Sequence, residues 1–333
     1  ALKKNNFNPD LILGHPGWGE TIFLKEIWPD CPLISYVEFY YKTRDCDIDF
    51  DIDLLKEVKG DVDRFLNFTR LKLMARNSYF SQSYLISDYL VCPTEFQKDQ
   101  LPDIFRDKID IIHDGIDTNK LKPEEDVSFK VNDVTLTNKD NVISYISRSL
   151  DPYRGFHIFI KSIPGILEKN PEANILIVGN PDTPGYGSPL KEGRFKEYFY
   201  SRIEGKIDTS RVHFLGFLKY EDYLKVLKIT TVHTYLTYPF ILSWSMLEAM
   251  SCGALIVGSN TGPVTEVIKN NENGIIVDFF DHKAIVENIT NILKNRDKYT
   301  KIKENARKTI LNNYDLEKIC LPRHLKLIDK AIR

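Results

Sequence analysis

No stretch of the 333-residue sequence approaches the roughly 18 to 20 consecutive apolar residues that a membrane-spanning helix needs. The opening ALKKNNFNPD is polar, unlike a secretory leader, so a soluble chain is expected. A dominant charge is also lacking. The net charge is −2 and the pI near 6.4, which leaves no basic field to attract nucleic acid. The five cysteines (Cys31, Cys46, Cys92, Cys252, Cys320) are odd in number and scattered, with no C-x-x-C pair. That argues against a zinc or dithiol motif and suits a reducing cytoplasm. The seven histidines form neither H-E-x-x-H nor H-x-H, so no metal site is expected. Without G-x-S-x-G or a Cys/His pairing, nucleophilic hydrolysis has no support. No solenoid-length repeat and no low-complexity tract occur.

What is present is 42 % apolar and 28 % charged residues, enough for two globular domains with cores of their own. From Asp10 to about Asp117, short β-branched strands alternate with helices: DLILGHPGWGE, PLISYVEFYY, YLVCPTEFQKDQL and IDIIHDGIDT. This alternation predicts a parallel α/β sheet. Residues 121–140 carry turn residues without a sustained apolar pattern and read as a linker. The alternation then resumes through NVISYISR, ANILIVGN, VHFLGF, TVHTYL and GIIVDFF, predicting a second doubly wound domain. The expected division is 1–120, linker 121–140, 141–312, and a C-terminal helix over 313–333 that docks on either domain. The segment from Asp63 to Asn77 mixes phenylalanines and leucines with basic residues. It reads as an ordinary surface helix, or as one lying weakly on an anionic membrane face.

In doubly wound domains ligands bind beyond the carboxyl ends of the strands. In ISRSLDPYRGFH, Arg148 closes a strand and Arg154 precedes the helix-starting Gly155. The two guanidiniums read as a fork for a diphosphate, or as solvated arginines. Gly216 in HFLGFLKYEDY opens the backbone to a ligand, or simply makes a turn. TYPFILSWSMLEAMSCGALIVGS, residues 237–259, predicts a short helix beginning near Ser243 to Ser245, with Glu248 in its first turn. Ser245 and Glu248 have capping-box spacing. The same helix start also suits a phosphate, with the carboxylate beside it accepting from a ribose diol.

In the first half, GHPGWGE has the outline of a phosphate loop but neither of the glycine fingerprints. His15 and Glu20 are candidates to face an interdomain cleft, His15 reading equally as a satisfied loop histidine. Glu38, ending a strand among aromatics, is expected to be desolvated and suited to acid/base or hydroxyl-binding work. His113 and Asp114 stand at another strand end.

In order, SRSLDPYRGFH, ILIVGN, VHFLGFL, LTYPFILSWSMLEAMSCGALIVGS, GPVTEVI and ENGIIVDFF resemble the nucleotide-sugar domain of glycosyltransferase family 4. HPGWGETIFLKEIWPD, YVEFYY and IIHDGIDTNKLKP resemble the acceptor-side domain of a bacterial polysaccharide branch of that family. The resemblance covers Asp10 to the C-terminus. It implies an α/β GT-B fold: two Rossmann-like domains facing a cleft, the first shortened at its N-terminus. It also implies a retaining, metal-independent hexosyltransferase without a cofactor. Its donor would be UDP-glucose or a related UDP-hexose, with GDP-mannose next, and its acceptor a glycan or lipid-linked sugar in polysaccharide synthesis. The setting implied is cytoplasmic, at or near the inner membrane face.

Carried over by position, Arg148 and Arg154 match the basic pair on the donor diphosphate. Glu248 matches the second Glu of E-x7-E, which holds the ribose. The loop Phe240, Ile241, Leu242, Ser243, Trp244, Ser245 matches the segment whose amides grip sugar and phosphate, and Gly216 with Phe217 the base-contacting turn. Glu38 is assigned near the reacting sugar with the two arginines as the catalytic set. His15, Gly17, Trp18, Gly19 and Glu20 are assigned to the acceptor side. Phe240 stands where the first motif Glu belongs, and Glu38 where many relatives have His. Relatives also open with a further strand and glycine loop, so a preceding segment is expected. The alternative is a non-catalytic nucleotide-sugar-binding subunit. An NAD-dependent oxidoreductase ranks last, for want of the glycine fingerprint.

Overall fold

A computed structural model describes residues 7–183 and 185–333 of the chain. The chain divides into two units, Ala1–Gly115 with Leu316–Arg333, and Ile116–Asp315.

The first unit carries four parallel strands in the order β1 (Ile12–Gly14), β2 (Leu33–Tyr36), β3 (Tyr89–Cys92) and β4 (Ile109–Ile111). The inner strands β2 and β3 read as apolar runs because helices cover both faces. Leu90 and Cys92 point toward Phe80 and Tyr84 of the helix Val62–Ile86. Val91 and Ile34 point the other way, where Leu327 and Ala331 of the C-terminal helix Leu321–Ile332 cover them. Arg323 of that helix donates to the Ile111 carbonyl at 2.6 Å. The basic residues of the Asp63–Asn77 stretch are partly engaged within the unit: Arg70 donates to the Thr43 carbonyl at 2.9 Å, and Arg76 lies over the Tyr41 ring at 4.8 Å.

In the second unit, β5 (Ser128–Val131) and β6 (Val134–Thr137) form an antiparallel hairpin that turns at Asn132, where φ is +51°. The segment 121–140, expected as a linker, thus contains two strands. Phe129, Val131 and Leu136 enter the core of the unit. Four-residue strands are too short to produce a visible alternation against their turn residues.

The main sheet of this unit is β7 (Asn141–Ser149), β8 (Ala173–Asn180), β9 (Val212–Gly216), β10 (Val232–Tyr235), β11 (Leu255–Ser259) and β12 (Ile275–Val277). All are parallel, in the spatial order β12-β11-β10-β7-β8-β9. The chain winds one way through β7, β8 and β9, then returns to the middle and winds the other way. The reversal lies between β7 and β10, and in such sheets a crevice opens beyond the carboxyl ends of the two strands at the reversal. Helices Phe156–Lys169 and His282–Lys294 pack on one side, and Tyr220–Ile229, Trp244–Ser251 and Thr300–Asn313 on the other. Among the described residues no helix is long and apolar enough to cross a membrane.

Candidate functional site

The segments leaving β7 and β10 meet at the reversal through one side chain. Asp151 caps the single turn Pro152–Arg154, accepting from the Arg154 N–H, and proline at the first position suits that turn. Gly155 ends it at φ +68°, and a Cβ there would lie 2.3 Å from Leu236 Cβ, so only glycine fits. The turn aims the Arg154 guanidinium inward. Its Nη1 donates to the Tyr235 hydroxyl at 3.1 Å, to Thr237 Oγ1 at 3.0 Å and to the Ile241 carbonyl at 2.7 Å. Arg154 is therefore buried, tying the β7 loop to the loop after β10.

Arg148 differs. It follows a register shift between Ile146 and Ser149 at the end of β7, and it is exposed. Both guanidiniums lie against one phenol, Arg148 at 5.1 Å and Arg154 at 5.0 Å from the Tyr186 ring. The solvated pair considered from the sequence is thus one exposed and one buried arginine sharing Tyr186. Tyr186 sits in the loop after β8, held by its N–H to Asp151 Oδ2 at 3.3 Å. Burial pushes the Asp151 carboxyl up, and the Ser149 hydroxyl opposes that at 2.6 Å.

Phe240 is 3 % exposed and packs edge-on against Tyr153 at 5.4 Å and beside Tyr186 at 4.9 Å. Its ring is wall rather than contact surface. Leu242 is buried and Ile241 half-buried, so this loop offers ligands mainly its backbone.

The helix starts at Trp244 with Ser243 as cap, whose Oγ accepts from the Ser245 N–H at 3.4 Å. The Ser243 N–H itself donates to the Tyr235 oxygen at 2.6 Å. Glu248 consequently falls in the second turn, and the Ser245–Glu248 capping box does not form. Ser245 donates instead to the Ile146 carbonyl at 3.4 Å. Glu248 accepts from the Tyr223 hydroxyl of the neighbouring helix Tyr220–Ile229. Burial raises its carboxyl above the usual range, and the Tyr223 bond pulls it back. In the turn that leads from β9 into the helix Tyr220–Ile229, Gly216 takes φ +63° and Phe217 stands 87 % exposed. Trp244 is half exposed.

In the first unit, residues from several strand ends meet. His15 follows β1, and its Nδ1 accepts from the Gly17 N–H at 3.2 Å, so the proton sits on Nε2. Nε2 faces Glu38 Oε2, beyond β2, at 3.2 Å. The His15 ring stacks on Tyr36 at 5.9 Å, and the Tyr36 hydroxyl donates to Asp114, beyond β4, at 2.8 Å. The Glu38 carbonyl accepts from the Gln97 amide, which follows β3. Glu38 itself is 54 % exposed in its side chain, so the desolvation expected from its aromatic neighbours does not occur; Phe39 is buried in its place. Gly19 donates to the Pro16 carbonyl at 3.4 Å, and Glu20 accepts from the Trp18 N–H at 2.7 Å, backbone donors holding its carboxyl below the usual range. His113 is buried, with Nδ1 accepting from the Gly115 N–H at 2.9 Å.

Sequence reading missed Tyr186, Tyr223, Tyr235 and Asp151. A tyrosine at a strand or loop end carries no motif, and only the paired positions Asp151 and Arg154 hinted at a capped turn.

Residues 128–309 match the glycosyl transferases group 1 family, and residues 1–121 the glycosyl transferase family 4 group. An uncharacterized glycosyltransferase of Methanocaldococcus jannaschii is 26 % identical over 271 residues, 80 % of this chain and 62 % of that one. Spore coat protein SA of Bacillus subtilis is 24 % identical over 180 residues, 54 % of this chain and 46 % of that one. The chain spans about half the length of the curated relatives it matches. Among solved structures, Anabaena Alr3699/HepE in complex with UDP-glucose aligns with a TM-score of 0.67 at 15 % identity, over 95 % of this chain and 78 % of that one. Sucrose-phosphate synthase from Thermosynechococcus elongatus aligns with a TM-score of 0.69 at 17 % identity, over 98 % and 75 %. At these identities the likeness is one of fold, the GT-B fold. Since the first family match spans most of the second unit and more than half of the chain, the chain belongs to the glycosyl transferases group 1 family, as a GT-B protein of family 4 type.

Proposed function

We propose that this protein transfers a hexose with retention from a UDP-sugar, UDP-glucose or a close relative, to a glycan or lipid-linked acceptor in polysaccharide synthesis, without a metal. GDP-mannose is the next donor. The observation that carries the reading is the pairing of Arg148 and Arg154 on Tyr186 at the β7/β10 reversal, with Arg154 bonded to the loop that leads into helix Trp244–Ser251. Cationic donors and helix amides fixed in place stabilise a leaving diphosphate with no reorganisation in the transition state. In this reading Arg148 grips the diphosphate while Arg154 shapes the loop that presents backbone amides. Glu248 accepts from the ribose diol, and Gly216 with Phe217 borders the base. His15 and Glu38 serve the acceptor side, with Glu38 near the reacting sugar. A reducing, cytoplasmic setting accords with five buried cysteines, none of them in a disulfide.

A second reading, a non-catalytic nucleotide-sugar-binding subunit, draws on Phe240, whose buried ring replaces a carboxylate next to the donor loop. The experiment is a calorimetric titration with UDP and with GDP, each with chelator, followed by an assay for donor hydrolysis. UDP binding with slow hydrolysis supports the transferase; binding without any turnover supports the subunit; binding of neither nucleotide removes both.

A further inference from the structure

The loop from His15 to Glu20 presents a tryptophan to solvent and holds it there. Trp18 is 79 % exposed, while Pro16 and Gly17 beside it are buried. The Trp18 N–H is fixed to Glu20 at 2.7 Å, the Gly17 N–H to His15 at 3.2 Å, and the Gly17 carbonyl accepts from the Tyr79 hydroxyl at 3.4 Å. An indole left in water forgoes the free energy of burying a large ring. A loop pinned on both sides of it cannot fold the ring away. The polar groups alongside are equally ordered. The His15 ring lies 6.3 Å from the Trp18 ring, and Nε2 of His15 meets the exposed Glu38 carboxylate at 3.2 Å. A carboxylate has about four lone-pair sites, so Glu38 retains capacity for further donors.

We propose that Trp18, His15 and Glu38 form a platform for a neutral saccharide ring, whose C–H face packs on the indole while its hydroxyls donate to Glu38. This deepens the acceptor half of the proposed function and rests on it. The chemistry selects the ligand. A flat aromatic surface beside hydrogen-bond acceptors suits a ring with one apolar face and a polar edge. The carboxylates of Glu20, at the Trp18 N–H, and of Glu38, at the His15 ring, disfavour a phosphate group by like-charge repulsion. Of the acceptors considered above, the sugar itself is thus what docks at Trp18, and a lipid phosphate docks elsewhere.

The test uses the full chain on a printed array that carries neutral oligosaccharides, anionic oligosaccharides and vesicles containing polyprenyl phosphate. The parent is expected to retain at least one neutral oligosaccharide. Trp18→Ala is expected to weaken that binding by about tenfold or more, and Trp18→Phe by less, because a ring face remains. Glu38→Gln is expected to weaken it as well. Failure of the parent to retain any neutral oligosaccharide, unchanged retention by Trp18→Ala, or preference for the phosphate vesicles overturns the platform. UDP titrated against the same variants separates the two readings: sugar retained without UDP binding removes the donor assignment and leaves the platform standing.

Discussion

The hydroxyl of Tyr223 donates to Oε2 of Glu248 across two neighbouring helices of the second unit. The bond opposes the burial that lifts the Glu248 carboxyl, so it favours the charged form. A charged carboxylate with one oxygen fixed presents the other in a set direction, which is what a diol-binding acceptor requires. In Tyr223→Phe the carboxyl should rise further and lose its orientation. We expect UDP affinity to fall about three- to tenfold, from the loss of one hydrogen bond to a charged group. Affinity for 2′-deoxy-UDP should change far less, as one half of the diol contact is already missing. Equal losses for both ligands in a calorimetric comparison would show that Glu248 does not read the ribose.

The two arginines should separate in the same kind of experiment. Arg148 is exposed, with its guanidinium over the Tyr186 ring. Arg148→Ala is expected to weaken UDP binding by about tenfold or more through loss of a charge-assisted contact, with thermal stability unchanged. Arg154 bridges Tyr235, Thr237 and Ile241 from a buried position near the Asp151 carboxyl. Its removal leaves several buried acceptors without that donor, so Arg154→Ala should lose about 3 kcal/mol of stability as well as UDP affinity. Urea denaturation distinguishes the two variants; an Arg154→Ala protein as stable as the parent would mean the loops do not depend on it.

How much of this was legible in the residues follows from what each signal measures. The alternation of β-branched strands and helices identified both parallel sheets, because strands buried on two faces must be apolar throughout. The strand order was not legible. It is set by which strands pair, and nothing in the sequence places β7 beside β10. For the same reason Arg148 and Arg154 stand out in the sequence as a pair, yet their division into an exposed and a buried arginine is not legible there, since the acceptors of Arg154 lie more than 80 residues away. Glu248 stands out by its motif, but the capping box predicted for it does not form, because the helix caps at Ser243, two residues before Ser245, where the Ser243 N–H is held by the Tyr235 oxygen. Glu38 is expected to be buried because its neighbours are aromatic, whereas in the segment past the end of β2 Val37 and Phe39 are buried and Glu38 lies exposed between them.

Gly155 joins the arginine turn to the helix Phe156–Lys169 at φ +68°, and a Cβ would press to within 2.3 Å of Leu236. Gly155→Ala meets both a left-handed backbone and a clash with a side chain of the loop after β10. We expect a loss of about 3 kcal/mol or more, with weaker UDP binding, since the displaced turn carries Arg154. A thermal midpoint within experimental error of the parent would contradict this geometry.

Acid should destabilise the first unit through His113. The imidazole is 5 % exposed and accepts from the Gly115 N–H, so it is held neutral. Burial pushes it down to about 4, with His324 acting in the same direction and Asp114 against it. An unfolded histidine titrates near 6.5, so between about pH 6.5 and 4 the unfolded chain binds a proton that the native chain does not. The stability contributed is whole above about pH 6.5 and drains away as the pH falls, by on the order of 3 kcal/mol. His233 behaves alike in the second unit, its Nδ1 paired with Ser144 Oγ at 2.9 Å and its ring pushed down to about 3 by burial. Urea denaturation followed from about pH 7 to 4.5 should therefore show midpoints falling with acid. His113→Asn should flatten the fall for the first unit while the second keeps its slope, which probes placed in each unit can separate. If the slope of the first unit is the same in parent and variant, His113 is not the buried neutral group described here, and acid acts on that unit through its carboxylates.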